Sequence, residues 1–220
     1  MKGLLMTPDN AQKCHDGTKT QTRRLIKPQP KIIHEIFTYQ EVMYVQTEML
    51  ERDKNLLNGC IKCPFSVGEE VYIKETHYRF GHWNKNGFTK TGRQKWKFKA
   101  EPNTVVLFTD NRPLTVMKNS FRLNAWYKRP SLFLPADLAR TLVTITDIRA
   151  QRVQDISEKD ARAEGLVHNA FWDMWESPLH PGSLIDWYKT AFKQLWDSIH
   201  GEGAWERNDF CWVFDFKRVV

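Results

Sequence analysis

The sequence predicts an α+β fold, because three segments carry strand patterns and two carry clear helix patterns. Residues 67–78, 141–153 and 210–219 alternate apolar and polar side chains, as half-buried strands do. Residues 8–16 follow a Thr-Pro pair and stop at a glycine, and residues 183–200 repeat apolar side chains at helical spacing. We expect the last strand to pair centrally and to hold the C-terminal segment in a sheet.

A short basic loop directly follows the first predicted helix. That helix has Thr7 as its N-cap, Pro8 at its first position and Gly17 just past its end. Residues 17–24 read G-T-K-T-Q-T-R-R and hold three hydroxyls and three cations. An extended chain puts the three hydroxyls on one face, whereas a tight bend brings Lys19 beside Thr22. An amine beside a hydroxyl can take its proton and activate it as a nucleophile; the alternative is a solvated basic turn.

Two glutamates lie where a carboxylate is costly. The strand pattern at 67–78 places Glu75 on the same face as Val71 and Ile73. We expect Glu75 either to pair with an arginine such as Arg23 or Arg24 or to point into a polar pocket. The segment S-E-K-D-A-R-A-E predicts a compact helix with Ser157 as N-cap and Asp160 three residues later. Glu164 then falls in the last turn, where the helix dipole disfavours a carboxylate.

The other segments carry weaker patterns. We expect an extended linker at 27–31, a hairpin at 32–49 that breaks at 40–41, a polar connection at 51–62, and a Pro-rich loop with a short helical turn at 126–140. Residues 79–124 form an elaboration that mixes aromatic and basic side chains. That mixture suits either a nucleic-acid groove or a solvated hairpin.

Composition indicates a globular protein of one domain with elaborations. The 220 residues are 41% hydrophobic and 27% charged, and no apolar run approaches the roughly 18 residues of a membrane span. No signal peptide is evident, so we expect a cytoplasmic protein. The net charge of +7 suits a phosphate-bearing partner without requiring one, and nine tryptophans suit either a core or base stacking.

Four cysteines occur, at 14, 60, 63 and 211. Cys60 and Cys63 form one C-x-x-C, but a second ligand pair at finger-like spacing is missing. We expect free thiols and no structural metal.

Three segments together resemble the ASCH family, small proteins with a PUA-like β-barrel. They are the loop G-T-K-T-Q-T-R-R, the strand V-G-E-E-V-Y-I-K-E-T, and the unit from I-T-D-I-R to R-A-E-G-L. The K-R-P-S loop and the tail from L-W-D-S-I-H-G to F-D-F resemble longer, often phage-encoded members. The resemblance covers about half of the chain. It implies a single PUA-like domain over 1–220, a mixed β-barrel with flanking helices and insertions at about 29–62 and 79–124.

The resemblance also implies an activity. Family members that hydrolyse N4-acetylcytidine use a Lys and Thr in K-x-x-T and a Glu in the helix after the long strand. These correspond to Lys19, Thr22 and Glu164. We therefore expect a metal-independent and cofactor-independent amidohydrolase that removes an acyl group from N4 of a cytosine nucleoside. We expect Glu75, Arg23 and Arg24 to bind the substrate.

Two other functions stay open at this point. One is a non-catalytic RNA-binding module, in which the same Lys and Arg residues contact phosphate and tryptophans stack on bases. The other is a phage accessory or assembly protein without chemistry. Thr22 and Glu164 together favour the enzyme, because a phosphate site gains nothing from an added carboxylate.

Overall fold

The computed structural model describes residues 1–47, 59–118 and 123–219. Its helices are α1 (Pro8–His15), α2 (Glu158–Ala163) and α3 (Tyr188–His200). Its strands are β1 (Lys2–Leu5), β2 (Gln21–Leu25), β3 (Ile33–Tyr39), β4 (Val42–Thr47), β5 (Cys60–Lys62), β6 (Glu70–Lys74), β7 (His77–Phe88), β8 (Gln94–Ala100), β9 (Leu107–Phe108), β10 (Ala125–Arg129), β11 (Leu142–Arg152), β12 (His168–Asn169), β13 (Met174–Glu176), β14 (Leu184–Ile185) and β15 (Phe210–Arg218).

The fold is mixed α+β, mostly sheet with few helices, which confirms the predicted class. Within the described ranges no sheet closes into a barrel. No helix there is both long and apolar enough to cross a membrane. The chain divides into two compact units, which are described separately below. The first unit is Met1–Gln12 with Tyr72–Thr141, and the second is Lys13–Val71 with Leu142–Val220.

The first unit is built around an antiparallel sheet of order β10-β7-β8, with β9 also paired to β7. In its register Tyr127 lies opposite Arg79 and Trp83 opposite Phe98. One face of this sheet is aromatic, since the Tyr127, Trp83 and Phe98 rings meet edge to face. Near β1, the N–H of Met6 donates to the carbonyl of Lys74 over 3.0 Å.

Two sequence predictions in this unit need correction. The strand predicted over 67–78 ends at Lys74, and His77 already begins β7, so Glu75 lies in the connection. The segment 126–140 was expected to begin as a loop, but it begins inside strand β10. Tyr127 explains the difference, because its ring is buried at the sheet and this burial stabilises strand pairing. The helical turn predicted later in that segment is present as 3₁₀ turns at Ser131–Phe133 and Ala136–Leu138.

The second unit is organised around β15. This strand pairs antiparallel with β11 on one side and with β2 on the other, so the prediction of a central C-terminal strand is confirmed. Helices α2 and α3 contribute to an apolar cluster whose buried members include Ala161, Phe192 and Trp196. Trp187, the N-cap residue of α3, is 54% exposed.

Local signals in the second unit also match the sequence. The hairpin of β3 and β4 turns at Gln40 and Glu41, whose φ angles are 47° and 63°. At α2, the Ser157 hydroxyl accepts from the Asp160 N–H over 3.1 Å, and the Asp160 carboxylate accepts from the Ser157 N–H over 3.3 Å. This capping box satisfies two backbone donors at the helix start. Most of the connection predicted over 51–62 lies outside the described residues, and its last three residues form strand β5, paired with β4, instead of a connection.

Candidate active site

The basic loop lies at the junction of α1, α2 and β15 in the second unit. The N–H of Lys19 donates to the Lys13 carbonyl over 3.0 Å, and the N–H of Thr20 donates to the Ala163 carbonyl over 2.8 Å. The carbonyl of Thr20 accepts from the N–H of Phe216 over 2.8 Å. These backbone bonds fix the residues just before β2, so the loop is a defined part of the fold rather than a solvated turn.

Lys19 and Glu164 form a buried ion pair. The ammonium Nζ lies 2.6 Å from Oε2 of Glu164 and also 2.6 Å from its backbone carbonyl. The two side chains are only 2% and 5% exposed. An ion pair taken out of water gains a strong Coulomb attraction but loses hydration, so such pairs persist where other hydrogen bonds support them. The carbonyl contact is one such support, and it explains why a carboxylate lies at the end of α2.

The backbone at Gly165 allows this close approach. Its φ of +90° is in the left-handed region, where a side chain is strained. A Cβ at this position would also lie 3.1 Å from Cδ of Lys13 and 3.3 Å from Cβ of Lys19. Glycine therefore ends α2 and leaves room for the Lys19 side chain to reach Glu164.

Arg23 supports the second oxygen of Glu164. Its Nη1 donates to Oε1 of Glu164 over 3.1 Å, and its Nη2 donates to Oδ2 of Asp160 over 3.1 Å. The side chain is 1% exposed and its guanidinium lies 5.7 Å from the centre of the Phe192 ring. Glu164 is thus held between two cations, and Arg23 spans the first and last turns of α2.

A wider polar network continues from Asp160. Gln21 donates to Asp160 over 2.9 Å and to Asp215 over 2.6 Å, and Arg149 bonds to both aspartates. Burial acts to raise the pKa of Asp160, but the hydrogen bond from Gln21 and the charge of Arg23 outweigh it and lower that pKa. Burial likewise opposes the charge of Arg149, yet Asp215 and Asp160 raise the pKa of its guanidinium.

Thr22 lies next to Arg23 on strand β2. It is buried and lies opposite Phe214 in the register with β15. Because side chains alternate along a strand, Thr22 points to the face opposite that of Arg23. Its hydroxyl makes no hydrogen bond with any residue that the structure describes. The structure therefore brings Lys19 and Glu164 into direct contact. Thr22, three residues after Lys19 in the sequence, bonds to neither of them.

Arg24 lies next to this position and shares the strand face of Thr22. Burial lowers the pKa of its guanidinium, although the charge of Glu164 partly opposes this. Its expected role in substrate binding stays a prediction.

Glu75 belongs to the first unit and has a different arginine partner from the ones expected. It is 1% exposed and accepts two hydrogen bonds from Arg140, of 3.0 Å to Oε1 and 2.9 Å to Oε2. Arg140 also bonds to Asp110 and Gln12. Burial acts to lower the pKa of Arg140, but the hydrogen bonds that its guanidinium donates to Glu75 and Asp110 raise it. The pairing alternative for Glu75 is realised through Arg140, so the prediction of Arg23 or Arg24 as its partner was wrong.

Sequence reasoning missed several residues of these networks. Asp160 was recognised only as part of a helix cap, and Asp215, Arg149 and Arg140 were not recognised at all. The alternation of β15 could have indicated Asp215, since Phe214 and Phe216 beside it are buried.

None of the four cysteines is bonded to another. Burial raises the pKa of the Cys211 thiol, so it is an unreactive core residue. In the part of the chain that the structure describes, no three His, Cys, Asp or Glu side chains are grouped as a metal site would require.

Comparisons of the chain with protein-family models, with curated proteins and with solved structures found no match.

Proposed function

We propose that the protein is an amidohydrolase that removes an acyl group from N4 of an N4-acylcytosine nucleoside, such as N4-acetylcytidine. The proposal includes the fold: we propose that this α+β protein is of the PUA-like type. It keeps the expected cytoplasmic location, where cysteines that form no disulfide with one another remain reduced.

The buried contact between Lys19 and Glu164 carries the proposal. The two residues are 145 positions apart, yet the ammonium and carboxylate meet at 2.6 Å beside the strand that holds Thr22. A buried Lys–Glu pair can pass a proton between its members, because neither charge is solvated by bulk water. The hydroxyl of Thr22 is buried and has no hydrogen-bond partner among the described residues, so no existing bond has to break before it acts as a nucleophile.

The reaction is an acyl transfer in two steps. Thr22 Oγ1 attacks the amide carbonyl carbon while the neutral amine of Lys19 takes the hydroxyl proton. Collapse of the tetrahedral intermediate breaks the C–N bond, and N4 leaves as the cytosine amino group with a proton relayed through Lys19 and Glu164. A water molecule then hydrolyses the acyl ester on Thr22 and releases the carboxylic acid. Lys19 is bonded to Glu164 and not to Thr22 in the structure, so the proposed proton transfer needs Thr22 and Lys19 to come into contact when substrate binds.

The surrounding groups have supporting roles in this proposal. Arg23 and Asp160 orient Glu164, since the donors of Arg23 are directed at carboxylates. The N–H groups of Gly17, Lys19 and Thr20 already donate to protein carbonyls, so the oxyanion takes its donors from elsewhere in the site. The substrate-binding roles predicted for Glu75, Arg23 and Arg24 stay predictions.

The burial of Lys19 and Arg23 argues against the alternative of phosphate binding by these two residues. Phosphate contacts need exposed cations with free donors. Lys19 and Arg23 are each nearly inaccessible and already bound to carboxylates. A non-catalytic RNA-binding module would therefore have to use other parts of the surface.

Incubation of the purified protein with N4-acetylcytidine, with cytidine release followed by chromatography, tests the proposal. We expect turnover by the wild-type protein, a loss of a few orders of magnitude for Thr22→Ala, Lys19→Ala and Glu164→Ala, and little further loss in the Lys19→Ala/Thr22→Ala double variant. Thr20→Ala is the matched control, because Thr20 is exposed and only two positions away. Equal losses at Thr20 and Thr22, or no turnover by the wild-type protein, would contradict the proposal. The rate on a free nucleoside should also depend little on salt.

A further inference from the structure

One face of the β10-β7-β8 sheet in the first unit is lined by lysines. Lys95, Lys97 and Lys99 are alternate, exposed residues of β8. Lys97 lies opposite Asn84 and Lys99 opposite His82 on β7, so all of these side chains share one face. Lys128 on β10 lies opposite Tyr78. Tyr78 and His82 are four residues apart on β7 and share a face, so Lys128 belongs to that face too. We call this set of four lysines the lysine face.

The lysine face is not balanced by acidic side chains. None of its four lysines forms an ion pair with any residue that the structure describes. The carboxylate of Glu101, the residue after β8, is bonded to His82 over 3.1 Å. Four exposed like charges on one sheet repel each other, so their placement costs stability unless an anion binds there.

The opposite face of the same sheet carries a cation, Arg129, that packs against aromatic rings. Arg129 lies 4.8 Å from the ring centre of Trp83, 4.6 Å from that of Phe98 and 4.7 Å from that of Phe133. Burial in this aromatic cluster lowers the pKa of the Arg129 guanidinium. That face is packed around Arg129, whereas the lysine face exposes its four lysines and buries Tyr78 between the strands.

Aromatic rings lie among the lysines. Phe80 and Trp126 are directly opposite each other on β7 and β10, with ring centres 5.6 Å apart, and both side chains are half-buried. By alternation they are on the face that carries Lys128 and His82. Flat, partly accessible rings between cations are the combination on which bases stack while phosphates meet charge.

We propose that the lysine face binds single-stranded nucleic acid, with the lysines on its phosphates and Trp126 against a base. Alternate residues of a strand are roughly 6.8 Å apart, which suits contacts to successive phosphates of an extended strand. The open sheet also matches an unpaired strand, whose bases can turn toward the rings, better than a duplex, whose bases are stacked inside. This binding is independent of the hydrolase chemistry, because no residue of the candidate active site takes part.

Fluorescence anisotropy with a labelled oligouridylate tests the proposal on the full-length protein. Four phosphate contacts predict that log K falls with log salt with a slope of about −3, since each contact to a single strand contributes about −0.7. Lys95→Gln/Lys97→Gln/Lys99→Gln should reduce this slope to about −1 and weaken binding at low salt by at least about tenfold. These side chains are exposed, so the triple variant should keep the wild-type thermal unfolding midpoint.

The matched control is Lys31→Gln/Lys62→Gln/Lys217→Gln, which removes the same charge from exposed positions of the second unit. It should bind the oligonucleotide as the wild-type protein does. Trp126→Leu should keep the slope but weaken binding by about tenfold through lost stacking. Equal weakening by both triple variants would show a mere net-charge effect and overturn the proposal. Tighter binding to a duplex of equal length, or to vesicles containing phosphatidylserine, would overturn it as well.

Discussion

Glu164 is predicted to be the residue on which the stability of the buried ionic cluster depends most. Glu164→Gln keeps the size of the side chain but leaves Lys19 buried beside a neutral amide. It also removes the charge that Arg23 meets at Oε1. Removing one partner of a buried ion pair costs about 3–5 kcal/mol of unfolding free energy, because the other charge is left buried without compensation. We expect a cost in this range.

Lys19→Met should cost less. Glu164 then still has Arg23 at 3.1 Å, and the expected loss is about 1–3 kcal/mol, the cost of a buried polar group with an incomplete set of partners. The Lys19→Met/Glu164→Gln double variant should be more stable than Glu164→Gln alone, because it buries no lone ammonium.

Urea unfolding at neutral pH measures all of these free energies. Glu158→Gln is the control, because Glu158 is 53% exposed and its ion pair with Arg162 is worth at most about 0.5 kcal/mol. The reasoning is refuted if Glu164→Gln costs no more than Glu158→Gln, or if the two changes at 19 and 164 simply add.

Three further outcomes are expected. Lys19→Arg should be as inactive on N4-acetylcytidine as Lys19→Ala, because a guanidinium stays charged and cannot accept the hydroxyl proton; retained activity would exclude the amine as base. Because the pKa of Asp160 is lowered in the folded state, its contribution to stability is present above the ordinary Asp pKa and is lost as the pH falls through the folded value. Asp160→Asn should therefore flatten the decrease of the unfolding free energy below pH about 4. An unchanged decrease would contradict this prediction. Burial lowers the pKa of His77 to about 4. As the pH falls from about 6.5 to about 4, the unfolded chain binds a proton before the folded chain does, so the free energy of unfolding falls. His77→Gln should remove up to about 3 kcal/mol of that fall in unfolding experiments, and an equally steep fall in this variant would disprove the prediction.

The sequence was informative where the determinants are local. The capping box at Ser157 and Asp160 depends on residues three apart, and the central strand Phe210–Arg218 carries a continuous apolar run, which is typical of a strand buried on both faces. Partners far apart in sequence were harder to predict. Arg140 meets Glu75 across 65 residues, and Gln21 meets Asp215 across 194, through backbone paths and strand registers that no local pattern fixes. Lys19 and Glu164 were paired only through a family resemblance, and their catalytic roles stay predictions.

The most direct test of the proposed chemistry is a search for the acyl-enzyme on Thr22. The protein is mixed with N4-acetylcytidine, quenched in acid within the first turnovers, digested, and its peptides are examined by mass spectrometry. We expect one added acetyl group on Thr22 of the peptide covering 17–24, present in wild-type protein and in Thr20→Ala but absent from Thr22→Ala. Cytidine released at an undiminished rate by Thr22→Ala, or acetyl found on Lys19 instead, would contradict it.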